Sequence, residues 1–193
     1  ARGSLVAGLS DPSREVSEPA VEALVVAMEA HGGRQRYIVV GETGCMVRAN
    51  LPPYELFDVK YSLGSGLGLG LGLAMSDRRH RVVALLGDSS FFHSDVNALP
   101  YAVQQGLPMV VIVLDNGTTA LTGGQPHPGS AHDEHGRLRP ATDLAALIRG
   151  AGIEPADCRA DQPEALAAAV GAALSADRLS VILVRGACPV HPA

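Results

Sequence analysis

Residues 81–118 read RVVALLGDSSFFHSDVNALPYAVQQGLPMVVIVLDNGT, and the fold is decided there. Between Arg81 and Asp88, Val82, Val83, Ala84, Leu85 and Leu86 follow one another without polar alternation. Such a run suits a strand buried on both faces. Met109 to Leu114 repeats the pattern with β-branched residues. Ser94 to Gln105 lies between the two and predicts a helix, closed by Gly106. Strand, helix and strand within so few residues make a right-handed βαβ unit with parallel strands.

The surrounding chain extends the unit. Upstream, glycines at 64, 66, 68, 70 and 72 alternate with Leu and Ser. A helix is expected from about Ser65 to Ala74, although each Gly opposes it by roughly 1 kcal/mol. Small residues let a helix press against a neighbouring backbone. Tyr37 to Val40 predicts a strand ending at Gly41, and Phe57 to Tyr61 a short one after Pro52-Pro53. A helix starting near Ser17 has Glu18 and Pro19 in its first turn and a face of Val21, Leu24, Val25 and Met28. His31-Gly32-Gly33 ends it. Downstream, Thr118 to Pro140 is a long loop, a length that is usually functional. Asp143 to Arg149 reads as a helix capped by Thr142, Gln162 to Ser175 as another, and Ser180 to Arg185 as a last strand. Residues 1–16 are polar and aperiodic. They read as a tail or connector at a trimmed beginning, and 17–193 as one domain. The expected class is α/β: a three-layer α/β/α arrangement around a mainly parallel sheet.

Composition narrows the function. Aromatics are 4% of 193 residues and Trp is absent, so aliphatic side chains must build the core. The net charge is -5, and the densest basic group, Arg78, Arg79, His80 and Arg81, reads as a solvated loop, which argues against nucleic acid as a partner. Cys45, Cys158 and Cys188 contain no CxxC pair, which argues against a disulfide framework, a cysteine-ligated zinc site or an iron–sulfur cluster. The apolar stretch from Leu63 to Met75 is short for a membrane span. No signal-peptide pattern opens the chain. A reducing cytoplasm is the expected location.

In a doubly wound parallel sheet, ligands bind beyond the carboxyl ends of the strands. Three polar, Gly-rich loops leave such ends: Gly41 to Cys45, Gly87 to Ser94, and Asp115 to Pro128. Asp88 and Asn116 stand 28 positions apart with a helix between them, so both reach one edge of adjacent strands. The donors suit a magnesium ion that carries a diphosphate. Mg²⁺ takes six hard oxygens, of which the ligand's phosphates supply part. Asp88 offers a carboxylate, Asn116 an amide oxygen and Thr118 its main-chain oxygen. Gly87 permits close approach. The N–H groups of Ser89 and Ser90, near a helix start, are expected to meet the phosphate charge.

The same residues resemble the GDG…NN signature of thiamine-diphosphate enzymes, with Ser89 in place of the last Gly and Asp115 in place of the first Asn. Neither departure removes a metal ligand. The longer runs Gly87-Asp88-Ser89-Ser90-Phe91-Phe92-His93-Ser94 and Leu114 to Gly129 resemble the diphosphate-binding domain of the indolepyruvate:ferredoxin oxidoreductases, members of the 2-oxoacid oxidoreductase family. Gly41-Glu42-Thr43-Gly44-Cys45 is similar to the loop of that family that lies against the cofactor. The similarity covers about residues 35 to 130. It implies the thiamine-diphosphate-binding fold, thiamine diphosphate and Mg²⁺ as cofactors, and contacts from Thr119, Ala120 and Leu121. It also implies a second, pyrimidine-binding domain on a partner chain, and so a hetero-oligomer. The implied reaction is decarboxylation of a 2-oxo acid, an aryl pyruvate such as indolepyruvate, with electrons or an acyl unit passed onward. Ferredoxin would be reached through another subunit.

His93 and His127, in loops at the expected site, are candidates for proton transfer. Cys45 is expected to pack against the cofactor; Glu42 either touches it or caps a helix. His132-Asp133-Glu134-His135 reads as a zinc cluster or as a polar loop, the second being preferred. Two rivals remain open: a non-redox decarboxylase or carboligase of two components, and a nucleotide-binding domain without catalysis.

Overall fold

Six parallel strands form a single sheet in the computed structural model, which describes residues 17–188. The reading of residues 1–16 as a tail therefore lies outside the described residues. The strands are β1 (Tyr37–Gly41), β2 (Val59–Lys60), β3 (Arg81–Gly87), β4 (Met109–Asp115), β5 (Ala156–Arg159) and β6 (Ser180–Arg185), in the order β2-β1-β3-β4-β6-β5. The helices are α1 (Ser17–Ala30), α2 (Gly66–Ser76), α3 (Asp88–His93), α4 (Leu99–Gln105), α5 (Leu144–Gly150) and α6 (Pro163–Ser175).

The unbroken apolar runs find their cause in two cores. Val83, Leu85, Val110, Ile112, Ile182 and Val184 face α1 and α6. Val82, Ala84, Leu86, Val111, Val113, Val181 and Leu183 face α2 to α5. Side chains alternate between faces along a strand, and here each face is covered, so every position is apolar. The expected three-layer α/β/α fold is the observed one.

The Gly-rich segment is helical from Gly66, and its glycines divide by facing. A Cβ built on Gly66 would lie 2.4 Å from Leu86 Cδ2, and one on Gly70 2.6 Å from Met109 Cε and 3.5 Å from Val82 Cγ1. These two, four residues apart, allow the helix to lie against β3. Nothing lies within 4 Å of a Cβ built on Gly72. Gly72→Ala should therefore stabilise the fold by about 0.5–1 kcal/mol through helix propensity. Gly70→Ala should stabilise less than Gly72→Ala, because the Met109 methyl must turn aside and offsets part of the same gain. Denaturant unfolding of the two variants checks that order.

Four details differ from the sequence reading. The helix expected over 94–105 is two pieces, a 3-10 turn over Asp95–Asn97 and then α4, and an unexpected short helix, α3, precedes them. The break occurs because Ser94 and Asp95 are drawn to the α2 segment: Ser94 Oγ donates to Gly64 O at 2.6 Å, and Asp95 Oδ1 accepts from Leu67 N at 2.8 Å. The cap of α5 is Asp143, not Thr142, with Oδ1 accepting from Ala145 N and Ala146 N. The short second strand holds only Val59 and Lys60, because it pairs with β1 alone at the sheet edge. Strand β5 was not expected; its sequence, Ala-Asp-Cys-Arg, has no apolar period, and it is an edge strand held by β6.

Candidate functional site

The chain leaves β1 for β2 on one side and returns to β3 on the other, so a topological switch point lies between β1 and β3. The carboxyl ends of β1, β3 and β4 meet there, and so do the three loops singled out in the sequence. Gly87 pairs with Leu114 in the ladder, which puts Asp88 and Asn116 just past the last rungs of neighbouring strands. A cavity of about 120 Å³ opens at this corner. Thr43, Gly44, Cys45, Gly87, Asp88, Ser89, Asn116, Thr118, Thr119, Ala120 and Leu121 all line it, with Met46, Leu63, Leu114 and Thr122 completing the wall.

Asp88 is the organiser of the corner and is only 2% exposed. Its Oδ2 accepts from Asn116 N at 2.9 Å and from Gly117 N at 2.8 Å, and its Oδ1 from Ser89 N at 2.7 Å. The second of these bonds requires Gly117 at φ +76°, a left-handed backbone that glycine adopts freely. Asn116 Oδ1 accepts from Thr118 N at 3.1 Å, and Thr118 O from Ala120 N at 3.0 Å. Each of three oxygens, Asp88 Oδ1, Asn116 Oδ1 and Thr118 O, thus has one bond and a further lone pair. That set, one carboxylate, one amide and one carbonyl, fits a hard divalent cation whose remaining ligands come from phosphate and water. The Ser89 N–H is already taken by Asp88, so it does not point at a phosphate.

Charge in the corner is held low. Burial, and next the Asp88 charge, push the Asp115 carboxyl up to about 6, against the pull of Arg185. Arg185 Nη1 stands 2.8 Å from Asp115 Oδ2, while its Nε meets Asp157. Among the described residues no Lys or Arg is paired with Asp88. The basic group beside it is His127, whose buried Nε2 lies 3.2 Å from Asp88 Oδ2, at ion-pair distance, and makes no hydrogen bond. His127 Nδ1 accepts from Gly129 N at 3.1 Å, and its ring stacks on Phe92 at 5.4 Å.

Some candidates stand apart from the cavity. Gly41 and Glu42 do not line it; Glu42 is fully buried, with Oε2 accepting from Gly64 N at 3.0 Å and Gly66 N at 3.2 Å. Of the two readings of Glu42, it follows the capping one. Ser90 is buried as well and accepts from Gly64 N through Oγ at 2.8 Å. His93 is exposed at the end of α3. His132 to His135 form a surface turn in which Asp133 is bound by Arg137 and Arg139. Among the described residues no three His, Cys, Asp or Glu side chains could together hold a metal ion. The zinc reading of that turn therefore fails. Met46 and Leu63 escaped the sequence reading; Met46 merely extends the quoted loop, and no signal marks Leu63.

A larger cavity, about 570 Å³, lies at the opposite end of the sheet, among His31, Arg36, Arg78, Arg79, His80 and Arg81. The smaller corner is the better candidate, because convergent loops and buried polar groups make a site and volume alone does not. Among the described residues no helix is long and apolar enough to cross a membrane.

The chain resembles several known proteins. The model of the thiamine pyrophosphate enzyme, C-terminal TPP binding domain, matches residues 40–184. The indolepyruvate oxidoreductase subunit IorA of Methanothermobacter thermautotrophicus is 37% identical over 113 residues, 58% of this chain and 18% of that protein. The 2-oxoglutarate synthase subunit KorB of Archaeoglobus fulgidus is 25% identical, over 82% of this chain and 61% of its own length. The benzoylformate decarboxylase of Pseudomonas aeruginosa is 32% identical over 69% of this chain and 25% of that protein. The chain spans about a fifth to a quarter of the length of the IorA relatives it matches. Among solved structures, the 2-oxoglutarate:ferredoxin oxidoreductase from Magnetococcus marinus superposes with a TM-score of 0.82 over 92% of this chain and 64% of that one, at 18% identity. The fold is theirs.

Proposed function

The chain belongs to the thiamine pyrophosphate enzymes through their C-terminal TPP binding domain, and from that premise we propose that it grips the cofactor's diphosphate through Mg²⁺ at Asp88, Asn116 and Thr118, as part of an enzyme that decarboxylates a 2-oxo acid. The carrying observation is the pairing of Asp88 and Asn116 at adjacent strand tips, on one cavity, with spare oxygen lone pairs. Bound thiamine diphosphate would supply the electron sink that lets CO₂ leave. The protein's part is to place and insulate it. Asp88 would neutralise charge on the cation. Thr43 to Cys45 and Thr119 to Leu121 would flank the diphosphate, with Cys45 and Leu121 excluding water. His127, with its Nε2 3.2 Å from Asp88 Oδ2, would act through that carboxylate, and exposed His93 is the candidate for moving protons at the mouth of the site. The pyrimidine-binding half would come from a partner chain, and electrons would leave towards ferredoxin through a further subunit. An aryl 2-oxo acid is the proposed substrate class, supported by likeness to IorA subunits. A non-redox decarboxylase is the second reading, favoured by the benzoylformate decarboxylase relative.

Calorimetric titration tests the binding. Thiamine diphosphate should bind in the presence of Mg²⁺ and lose affinity when the metal is chelated. ATP and NAD should bind more weakly under both conditions; equal affinity for ATP would refute the assignment. Product analysis of the assembled enzyme, with and without an electron acceptor, separates the two readings.

A further inference from the structure

Glu42 and Asp95 raise a question that cofactor binding does not answer. Both are buried, at 0% and 1% exposure. Glu42 Oε2 accepts from Gly64 N and Gly66 N, and Asp95 Oδ1 accepts from Leu67 N, the next amide along. The two carboxyls are therefore held side by side at the first turn of α2. Each leaves its second oxygen, Glu42 Oε1 and Asp95 Oδ2, buried with no donor. Among the described residues no Lys or Arg is bonded to either. Two facing acceptors in a dry place, each lacking a donor, are one proton short.

We propose that Glu42 and Asp95 share that single proton, and that the resulting acid–carboxylate pair holds the β1 loop and the α2 start where they wall the cofactor cavity. Glu42 precedes Thr43, Gly44, Cys45 and Met46 on one wall; Leu63, beside Gly64, is on the other. Ser90 Oγ, which also receives Gly64 N, ties the same knot to the β3 loop. The backbone there leaves no slack. Gly64 has φ +73°, and a Cβ on it would lie 2.3 Å from Ser94 Oγ. The effect on the cavity rests on thiamine diphosphate occupying it; the shared proton does not.

The groups around the pair make its charge state sensitive to pH. Burial first, and then the Asp95 charge, push the Glu42 carboxyl up to about 8, against bonds from Ser90 and Gly66. Burial also raises Asp95, opposed by the Leu67 N–H, the bond with Glu42 and the more distant His93. Glu42 thus binds its proton more tightly when folded than when unfolded. Stability from this site is fully present below about 4.5, falls as pH rises, and is lost on passing about 8. Above that, two carboxylates repel inside the wall of the site.

Infrared spectroscopy and two variants test this. The chain at neutral pH should show the carbonyl band of a buried protonated carboxyl, and Glu42→Gln should remove it. Glu42→Gln mimics the protonated acid: its amide donates to Asp95 while its carbonyl accepts from Gly64 and Gly66. Unfolding stability should then decline less with rising pH and lose the part of its decline between about 6 and about 8, the part below about 6 being shared with Asp115. Asp95→Asn, which lets an ionised Glu42 accept from an amide, should shrink the same decline. In the unaltered chain, affinity for thiamine diphosphate with Mg²⁺ should fall up to about tenfold per pH unit above about 8, and stay level in Glu42→Gln. Absence of the band, or an unchanged pH slope in Glu42→Gln, overturns the proposal. Should Glu42→Gln fail to fold, the band in the unaltered chain and the slope in Asp95→Asn still decide it. If thiamine diphosphate binds at no pH, the functional reading falls, while band and slope still judge the shared proton.

Discussion

Asp88→Asn should lower the affinity for thiamine diphosphate in the presence of Mg²⁺ by about 30-fold or more, while leaving the weaker metal-free binding nearly unchanged. The expected size follows from removing one partner of a desolvated charge pair, about 2–5 kcal/mol, at 1.4 kcal/mol per tenfold. Asn is a sharper test than Ala. The Asp88 carboxylate receives the N–H groups of Ser89, Asn116 and Gly117. Ala would strand all three donors, at about 1–3 kcal/mol for each that stays buried. Affinity lost in that way would be a folding effect. Asn keeps one accepting oxygen and removes only the charge, although its NH₂ must then face at least one backbone N–H. A melting curve and a titration on the same sample separate the two effects. Unchanged metal-dependent affinity in Asp88→Asn would remove Asp88 from the site.

The second large effect concerns stability. Ile112→Ala should destabilise the fold by about 2–5 kcal/mol, read as a lower denaturant midpoint at unchanged slope. Ile112 is wholly buried at the centre of the sheet, between Leu85 of β3 and Ile182 of β6. The strand residues that flank it are locked in two ladders, which limits collapse into the space. The same strand carries Asn116 beyond its tip, yet the cavity lies past Leu114. Titrations well below the unfolding midpoint should therefore give unaltered cofactor affinity. A cofactor affinity that drops in step with stability would mean that the strand tips are less independent of the core than the ladder suggests.

Much of this is legible in the sequence. The runs 82–86 and 109–114 announced strands covered on both faces, because only apolar side chains satisfy two cores at once. The placing of Asp88 and Asn116 past neighbouring strand ends followed from the βαβ unit between them. The Gly-rich helix was legible against its own propensity. What misled was local: a helix drawn over 94–105 ignored that Ser94 and Asp95 have better partners on a distant segment, and β5 had no apolar period to betray it.

Glu42 marks the boundary most clearly. Its sequence neighbourhood placed it beside the cofactor, and capping was the competing reading. Its true setting depends on Gly64, Gly66 and Asp95, residues 22 to 53 positions away. Sequence alone determined the buried central strands, the parallel sheet and the type of donors offered at its edge, since these depend on side-chain chemistry and short-range period. Tertiary structure decided which polar groups are spent on backbone N–H bonds, which oxygens remain spare, and where a proton is missing. Those are matters of burial and contact between distant segments, and no local pattern encodes them.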